Sequence, residues 1–304
     1  MEKNSAKGII YLLITAIIWG GSFISQLFGG VTIGSFAFSG YRGIFGCITI
    51  AILIIYDNVK NHHSLTFFRK EEDIKSTVIG SCWCGVVLFS ALITQQIGVE
   101  ITDTAKSGII ASTEVIMVPI MMFLFFKRKI KFITWIFILT TMFGIMMLSM
   151  NSLSGINEGD IWVFISTILY SYTIIQVPKY INHIDSLKFS FFRFLMVMIL
   201  GFLLSFIFKE DGFNVMKFKE ALPSILYSGV LASGVAYTLQ VIGQKHCEPI
   251  VATLIMSLEG VFAAIFGWMI LGQSLNLMQI LGIIIAFISI IFVQITDNQV
   301  EAFS

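Results

Sequence analysis

Five ionisable side chains stand inside long apolar runs of this chain: Arg42, Lys106, Glu114, Arg193 and Glu259. A charge at the centre of an apolar slab costs roughly 2.5–3.5 kcal/mol on insertion scales, so it survives where it faces a cavity or meets a partner. Glu114 and Glu259 have the chemistry to bind a substrate amine or to pass a coupling proton. The plainer alternative is a hydrogen-bonded Glu that locks two helices together. Arg42 and Arg193 each fall about two turns into their run. Their guanidinium groups suit helix ends and connector carbonyls, which points to gating or structure more than to substrate contact. Lys106 stands near the end of a run, where its stem can snorkel to an interface.

Uncharged groups extend the candidate substrate-binding set to Trp19, Ser22, Gln95, Tyr170, Thr173, Tyr237 and Gln240. The two glutamines are the least expected of these, because an amide in an apolar medium needs partners. The aromatics serve equally as packing or interface residues. Pro119 removes a backbone donor and is expected to kink its helix beside Glu114. Gly20, Gly21, Gly40 and Gly43 permit close helix approach.

Other chemistries find little support. Cys47, Cys82, Cys84 and Cys247 show no C-x-x-C spacing, and His62, His63, His183 and His246 all sit in connectors. Neither a metal site nor a disulfide framework is expected. No Walker-type phosphate loop, paired Asp or HExxH is present, so neither ATP drive nor an intramembrane enzyme is expected, and no cofactor is implied. A net charge of +1 leaves no basic footprint for nucleic acid.

The elements that must position these groups are membrane helices. Charged residues make up 12% of the 304 and hydrophobic types 57%, with a mean hydropathy of +0.90. A soluble fold must still face water and could not hide so much apolar surface. Runs of about 20 apolar residues, the length that crosses a bilayer as a helix, are expected near 8–28, 34–55, 76–97, 104–126, 131–150, 159–178, 187–208, 221–242, 249–271 and 277–296. The first is too long for a signal-peptide core and lacks a clear cleavage site, so it is expected to be retained. Lys and Arg gather in the N-terminal segment and in the connectors around 56–75, 127–131 and 179–188. The connectors of the opposite side hold Lys209, Lys217 and Lys219. That bias places both termini in the cytoplasm, in a multi-pass protein of the cell membrane.

The chain also repeats itself. A shift of 151 residues sets Gly8 on Gly159, Trp19 on Tyr170, Ser22 on Thr173 and Phe38-Ser39-x-x-Arg42 on Phe189-Ser190-x-x-Arg193. A shift of 145 sets Gln95 on Gln240, Gly98 on Gly243, Ser112 on Ser257 and Glu114 on Glu259. The offset changes in a connector, where a duplication tolerates it. Each copy, 1–150 and 151–304, carries five spans. An odd number inserts the second copy from the opposite side, giving two inverted five-helix repeats in an all-α membrane protein. That plan serves alternating access by a secondary transporter with a site between the copies.

The stretch SLEGVFAAIFGWMILGQSLNLMQILGIIIAFISIIFVQ, the opening IIWGGSF around Trp19 and the Phe-x-x-x-Arg ending at Arg42 resemble the EamA-like branch of the drug/metabolite transporter superfamily. Glu259 stands where that family has Glu in Leu-Glu-Pro-Val, Gly260 replaces the Pro, and Gln273 replaces the Glu of Leu-Gly-Glu. The resemblance implies a five-plus-five inverted fold, a central cavity and transport of metabolites such as amino acids, often outward. The expected partners are a small-molecule solute, the lipid bilayer and a coupling proton. A pore or a non-transporting membrane receptor is the competing class. Nothing in the sequence speaks to oligomeric state.

Overall fold

The structure, a computed structural model, describes residues 5–61, 74–102, 104–127, 130–149, 157–181, 184–271 and 277–301. Gln273, His62, His63, His183 and the side chain of Lys106 lie outside the described set. The described residues form thirteen α-helices, one 3-10 turn and one π-helical stretch, with no strand among them. The helices are α1 (Ala6–Ile33), α2 (Ser35–Lys60), α3 (Ile74–Ile101), α4 (Thr104–Ser112), α5 (Glu114–Phe126), α6 (Phe132–Ser149) and α7 (Glu158–Ile181). They continue with α8 (Ser186–Ile207), α9 (Val215–Leu226), α10 (Tyr237–Gln244), α11 (Pro249–Met256), α12 (Glu259–Leu271) and α13 (Leu277–Glu301).

Eight helical stretches among the described residues are long and apolar enough to cross a membrane. Phe132–Met147 within α6 and Ile280–Ser289 within α13 are shorter apolar stretches among the described residues. Most helices overrun the expected apolar cores by several residues, because capping rather than hydropathy ends them. Ser5 accepts from Gly8 N at the start of α1. Gly34 ends α1 with φ +94, where only glycine is unstrained. Asp185 accepts from Leu187 N and Lys188 N to start α8, and Asn214 starts α9 in the same way. The first turn of α2 has no cap of its own. The Glu210 carboxylate, remote in sequence, accepts from Phe36 N at 3.1 Å and Ala37 N at 2.7 Å, where the helix dipole favours an anion.

Three spans are built from joined helices. α4 meets α5 at Thr113, and α11 meets α12 at Ser257–Leu258, each through one tightened turn with i→i−3 bonds (Thr113 N to Ile110 O, Leu258 N to Ile255 O). Pro119 was expected to kink the helix beside Glu114, but the break falls at Thr113. The matched break before Glu259 has no proline within it. Both breaks share hydroxyls bonded back onto the preceding turn: Ser112 to Gly108 O, Thr113 to Ile110 O and Ser257 to Leu254 O. α9 runs through a π-helical stretch, Tyr227–Ala236, into α10. Its carbonyls are open to side chains, Ala232 O accepting from Trp19 Nε1 and Ala236 O from Thr15 Oγ1.

The main seams pair α2 with α8, α3 with α7, α6 with α13, and α1 with the α9–α10 span. Small residues make them close. A Cβ on Gly201 would stand 2.5 Å from Gly40 N and 2.7 Å from Gly40 Cα, so α8 rests directly on the α2 backbone. Gly201→Val is expected to destabilise the protein by about 1–3 kcal/mol, since backbone must move to admit it. Gly46→Ala meets side-chain atoms at 3.2 Å and beyond and is expected to be far milder. Thermal midpoints of both variants in detergent check this, and equal stability of Gly201→Val and wild type would refute it.

One end of the bundle gathers Ser5, whose N–H donates to His246 O, together with Lys179 over the Phe126 ring. The other end gathers Gly34, Glu210, Thr102, Asn157 and Asp160. The first is called here the N-terminal face.

Candidate functional site

The joined spans converge on one cavity. Trp19, Ser22, Phe23 and Gln26 of α1, Arg42 of α2, Gln95 of α3, Ala111 of α4, Glu114 of α5, Tyr170 of α7, Tyr237 of α10 and Glu259 of α12 line it. Its volume is about 30 Å³, room for about one water molecule. Both glutamates are the first residues after the breaks in their spans. The breaks thus deliver the two carboxylates to the centre.

Trp19, Ser22, Gln95, Glu114, Tyr170, Tyr237 and Glu259, all drawn from the candidate set, come together here. Tyr237 Oη donates to Tyr170 Oη at 3.1 Å, and Tyr170 Oη donates to Gln95 Oε1 at 3.2 Å. The rings of Trp19 and Tyr237 lie 4.6 Å apart. These links cross between α1, α3, α7 and α10 and close the cavity into a single polar wall. Arg42 joins it as well. Rather than reaching a connector, its Nε donates to Ser233 Oγ at 3.1 Å, and the π-helical stretch supplies that serine.

The polar groups are not saturated. Glu114 is 6% exposed, Glu259 8% and Arg42 2%. Glu114 Oε1, Arg42 Nη1 and Gln26 Oε1 are buried without a hydrogen-bond partner. A buried group left unsatisfied costs roughly 1–3 kcal/mol, more when charged, and a polar ligand placed here would relieve that cost. The cavity thus offers one cationic donor and two carboxyl groups within an aromatic frame.

Four candidates lie elsewhere. Thr173 is buried with its hydroxyl on Tyr170 O. Gln240 and Arg193 are buried behind the wall, and Pro119 packs within α5. Phe23, Gln26 and Ala111 line the cavity without having been singled out. Gln26 had a signal, since it follows Trp19 and Ser22 at helical spacing.

A second space of about 320 Å³ opens at the N-terminal face. Met122, Phe126, Ile175, Pro178, Lys179, Gln244, Lys245, Cys247, Glu248 and Pro249 line it. It lies between α5, α7 and the α10–α11 turn, and is wide enough for a metabolite. Burial pushes the Cys247 thiol up to about 11, so this wall holds a neutral thiol at neutral pH.

The opposite face is crossed by polar ties. Thr102 Oγ1 donates to Asp160 Oδ1 at 2.7 Å, and Asn157 Nδ2 donates to Thr102 Oγ1 at 3.0 Å. Ser35 Oγ donates to the Glu100 carboxylate, which also accepts from Gln96 Nε2. Tyr41 Oη donates to Gly212 O.

A model of the EamA-like transporter family matches residues 6–150 and again 157–295. The chain belongs to the EamA-like transporter family. It is 24% identical over 300 residues to an uncharacterized transporter of Archaeoglobus fulgidus, covering 97% of this chain and 90% of that one. It is 20% identical over 280 residues to the uncharacterized transporter YoaV of Bacillus subtilis, covering 91% and 92%. A solved crystal structure shares its fold with a TM-score of 0.77 at 10% identity, covering 98% of this chain and 99% of that one. This EamA-like protein is therefore a multi-pass membrane transporter, and the cavity just described is its candidate solute site.

Proposed function

We propose that the chain is a secondary transporter that carries a small metabolite bearing both an amine and a carboxylate, an amino acid or similar, across the cytoplasmic membrane by alternating access. The observation that carries this reading is the central cavity, where Arg42 Nη1 and Glu114 Oε1 are both buried and unpartnered. The solute's carboxylate goes to Arg42 and its amine to Glu114 and Glu259. Tyr170, Tyr237, Trp19 and Gln95 frame it. A cavity of about 30 Å³ is smaller than any such solute, so the frame must open to admit it.

Two inverted five-helix repeats, 1–150 and 151–304, supply the means of opening. The packing supports this. The α3–α7 seam has its counterpart in the seam of α1 with the α9–α10 span. The close Gly98–Gly159 contact has its counterpart in Gly8–Gly243, residues that the two sequence offsets exchange. Arg42 lies two turns into α2, whose start is at the end that holds Glu210. Arg193 lies two turns into α8, whose start is at the N-terminal face, so the repeat-matched helices run in opposite directions. The two family matches also divide at 150–157.

With both termini cytoplasmic, the 320 Å³ vestibule opens inward and the tied face is the outer gate. A proton on Glu114 or Glu259 is the candidate coupling ion. The test is counterflow in proteoliposomes with a panel of amino acids and other metabolites. Exchange of at least one amine-bearing carboxylate is expected. A folded preparation that exchanges no solute, or that shows single-channel currents, would overturn the reading.

A further inference from the structure

Arg193 is among the largest fully buried side chains, with 0% exposure. Its Nε, Nη1 and Nη2 all lack a hydrogen-bond partner. The rings of Phe189 and Tyr237 lie 5.3 and 6.0 Å from its Cζ. Ring faces offset only part of the penalty for a charge taken out of water. Two further polar atoms nearby are equally unsatisfied. Ser190 Oγ is one turn earlier on α8, and Gln240 Oε1 is one turn beyond Tyr237 on α10.

The location gives this cluster a direction. Tyr237 lines the central cavity. Gln244, one turn past Gln240 on α10, lines the vestibule. Arg193 thus flanks the stretch of α10 that joins the two spaces. Lys179 and Lys245 stand at the vestibule end of that stretch, and Arg42 at the cavity end. Cationic groups therefore stand at the vestibule, beside α10 and at the central cavity.

We propose that Arg193 is an anion-binding station between the vestibule and the central cavity, and that the anion it takes is the carboxylate of the solute in transit. This rests on the transporter reading above. A guanidinium with every donor free takes a carboxylate in a bidentate pair, and Ser190 can add a third donor. Tyr237, with its ring against Arg193 and its hydroxyl on Tyr170, is the partition the solute crosses next.

The test follows thermal unfolding of the purified full-length protein with acetate, chloride and uncharged acetamide at constant ionic strength. A ligand that favours the folded form raises its midpoint. Acetate is expected to raise the wild-type midpoint and acetamide not. In an Arg42→Gln background, where the central cavity's own guanidinium no longer responds, Arg193→Gln is expected to need at least about tenfold more acetate for the same shift, the loss of one charged hydrogen bond, and Arg193→Lys to retain part of the response. If Arg193→Gln does not fold, Ser190→Ala decides, with a several-fold weaker acetate response expected. An acetate response unchanged in these variants, or absent from wild type, overturns the station. A shift with chloride and none with acetate assigns the site to a free inorganic anion and overturns the carboxylate assignment. An Arg193-dependent acetate shift in a protein without counterflow keeps the site but removes it from any transport route, which separates failure of the transporter reading from failure of this one.

Discussion

Glu114→Gln is expected to lower solute exchange by about 10- to 150-fold, the equivalent of the roughly 1.5–3 kcal/mol carried by a hydrogen bond to a charged group. The substitution preserves shape and hydrogen-bonding capacity, so the fold is expected to survive it. Glu114 Oε1 is buried, lines the central cavity and has no partner, so no structural contact of that oxygen is lost. Glu259→Gln probes the repeat-related position on the same cavity. The two proposed roles separate in one pair of assays. If Glu114 binds the solute amine, counterflow and gradient-driven uptake fall together. If it passes the coupling proton, counterflow persists while uptake driven by a pH gradient disappears. Wild-type rates in both assays would leave Glu114 as a helix lock and remove the carboxylate from the mechanism.

The sequence displays these helices because lipid imposes a simple rule on them, and apolar runs of bilayer length mark them directly. The same rule makes Glu114 and Glu259 conspicuous, since an ionisable group in an apolar run needs a reason to be there. What the pattern hides is backbone irregularity. YSGVLASGVA, the π-helical stretch Tyr227–Ala236, has no residue that marks a widened turn. Yet this stretch supplies Ser233 to Arg42 and the carbonyl of Ala232 to Trp19. Arg42 therefore reads as a gating residue in sequence and stands in the cavity in three dimensions. Pro119 is a visible helix breaker, but hydroxyls nearly two turns earlier accompany the break at Thr113, because Ser112 and Thr113 bond back to the carbonyls of Gly108 and Ile110, which tightens a turn without a proline. The bonding across the far face was equally hidden. Its ties join Thr102 to Asp160 and Glu210 to the start of α2, partners far apart in sequence and set just beyond the apolar cores that hydropathy detects.

That far-face seam carries the second large effect. Thr102→Cys with Asp160→Cys, oxidised in a Cys82→Ser background, is expected to reduce counterflow to background and to recover on reduction. The native hydroxyl and carboxylate meet at 2.7 Å, and a Cβ on the adjacent Gly159 would stand 2.9 Å from Thr102 N, so the two backbones pack directly against each other where the two cysteines would face. The bond ties the end of α3 to the start of α7, one from each proposed repeat, and an alternating-access cycle requires that seam to part. The vestibule at the opposite end is untouched, so solute is still expected to raise the thermal midpoint of the oxidised protein. Loss of exchange with retained binding is the signature of one gate locked around an intact site. A transporter with a fixed open path, or one that moves some other seam, would exchange solute at the same rate whether the disulfide is formed or reduced, and that result would refute opening between α3 and α7.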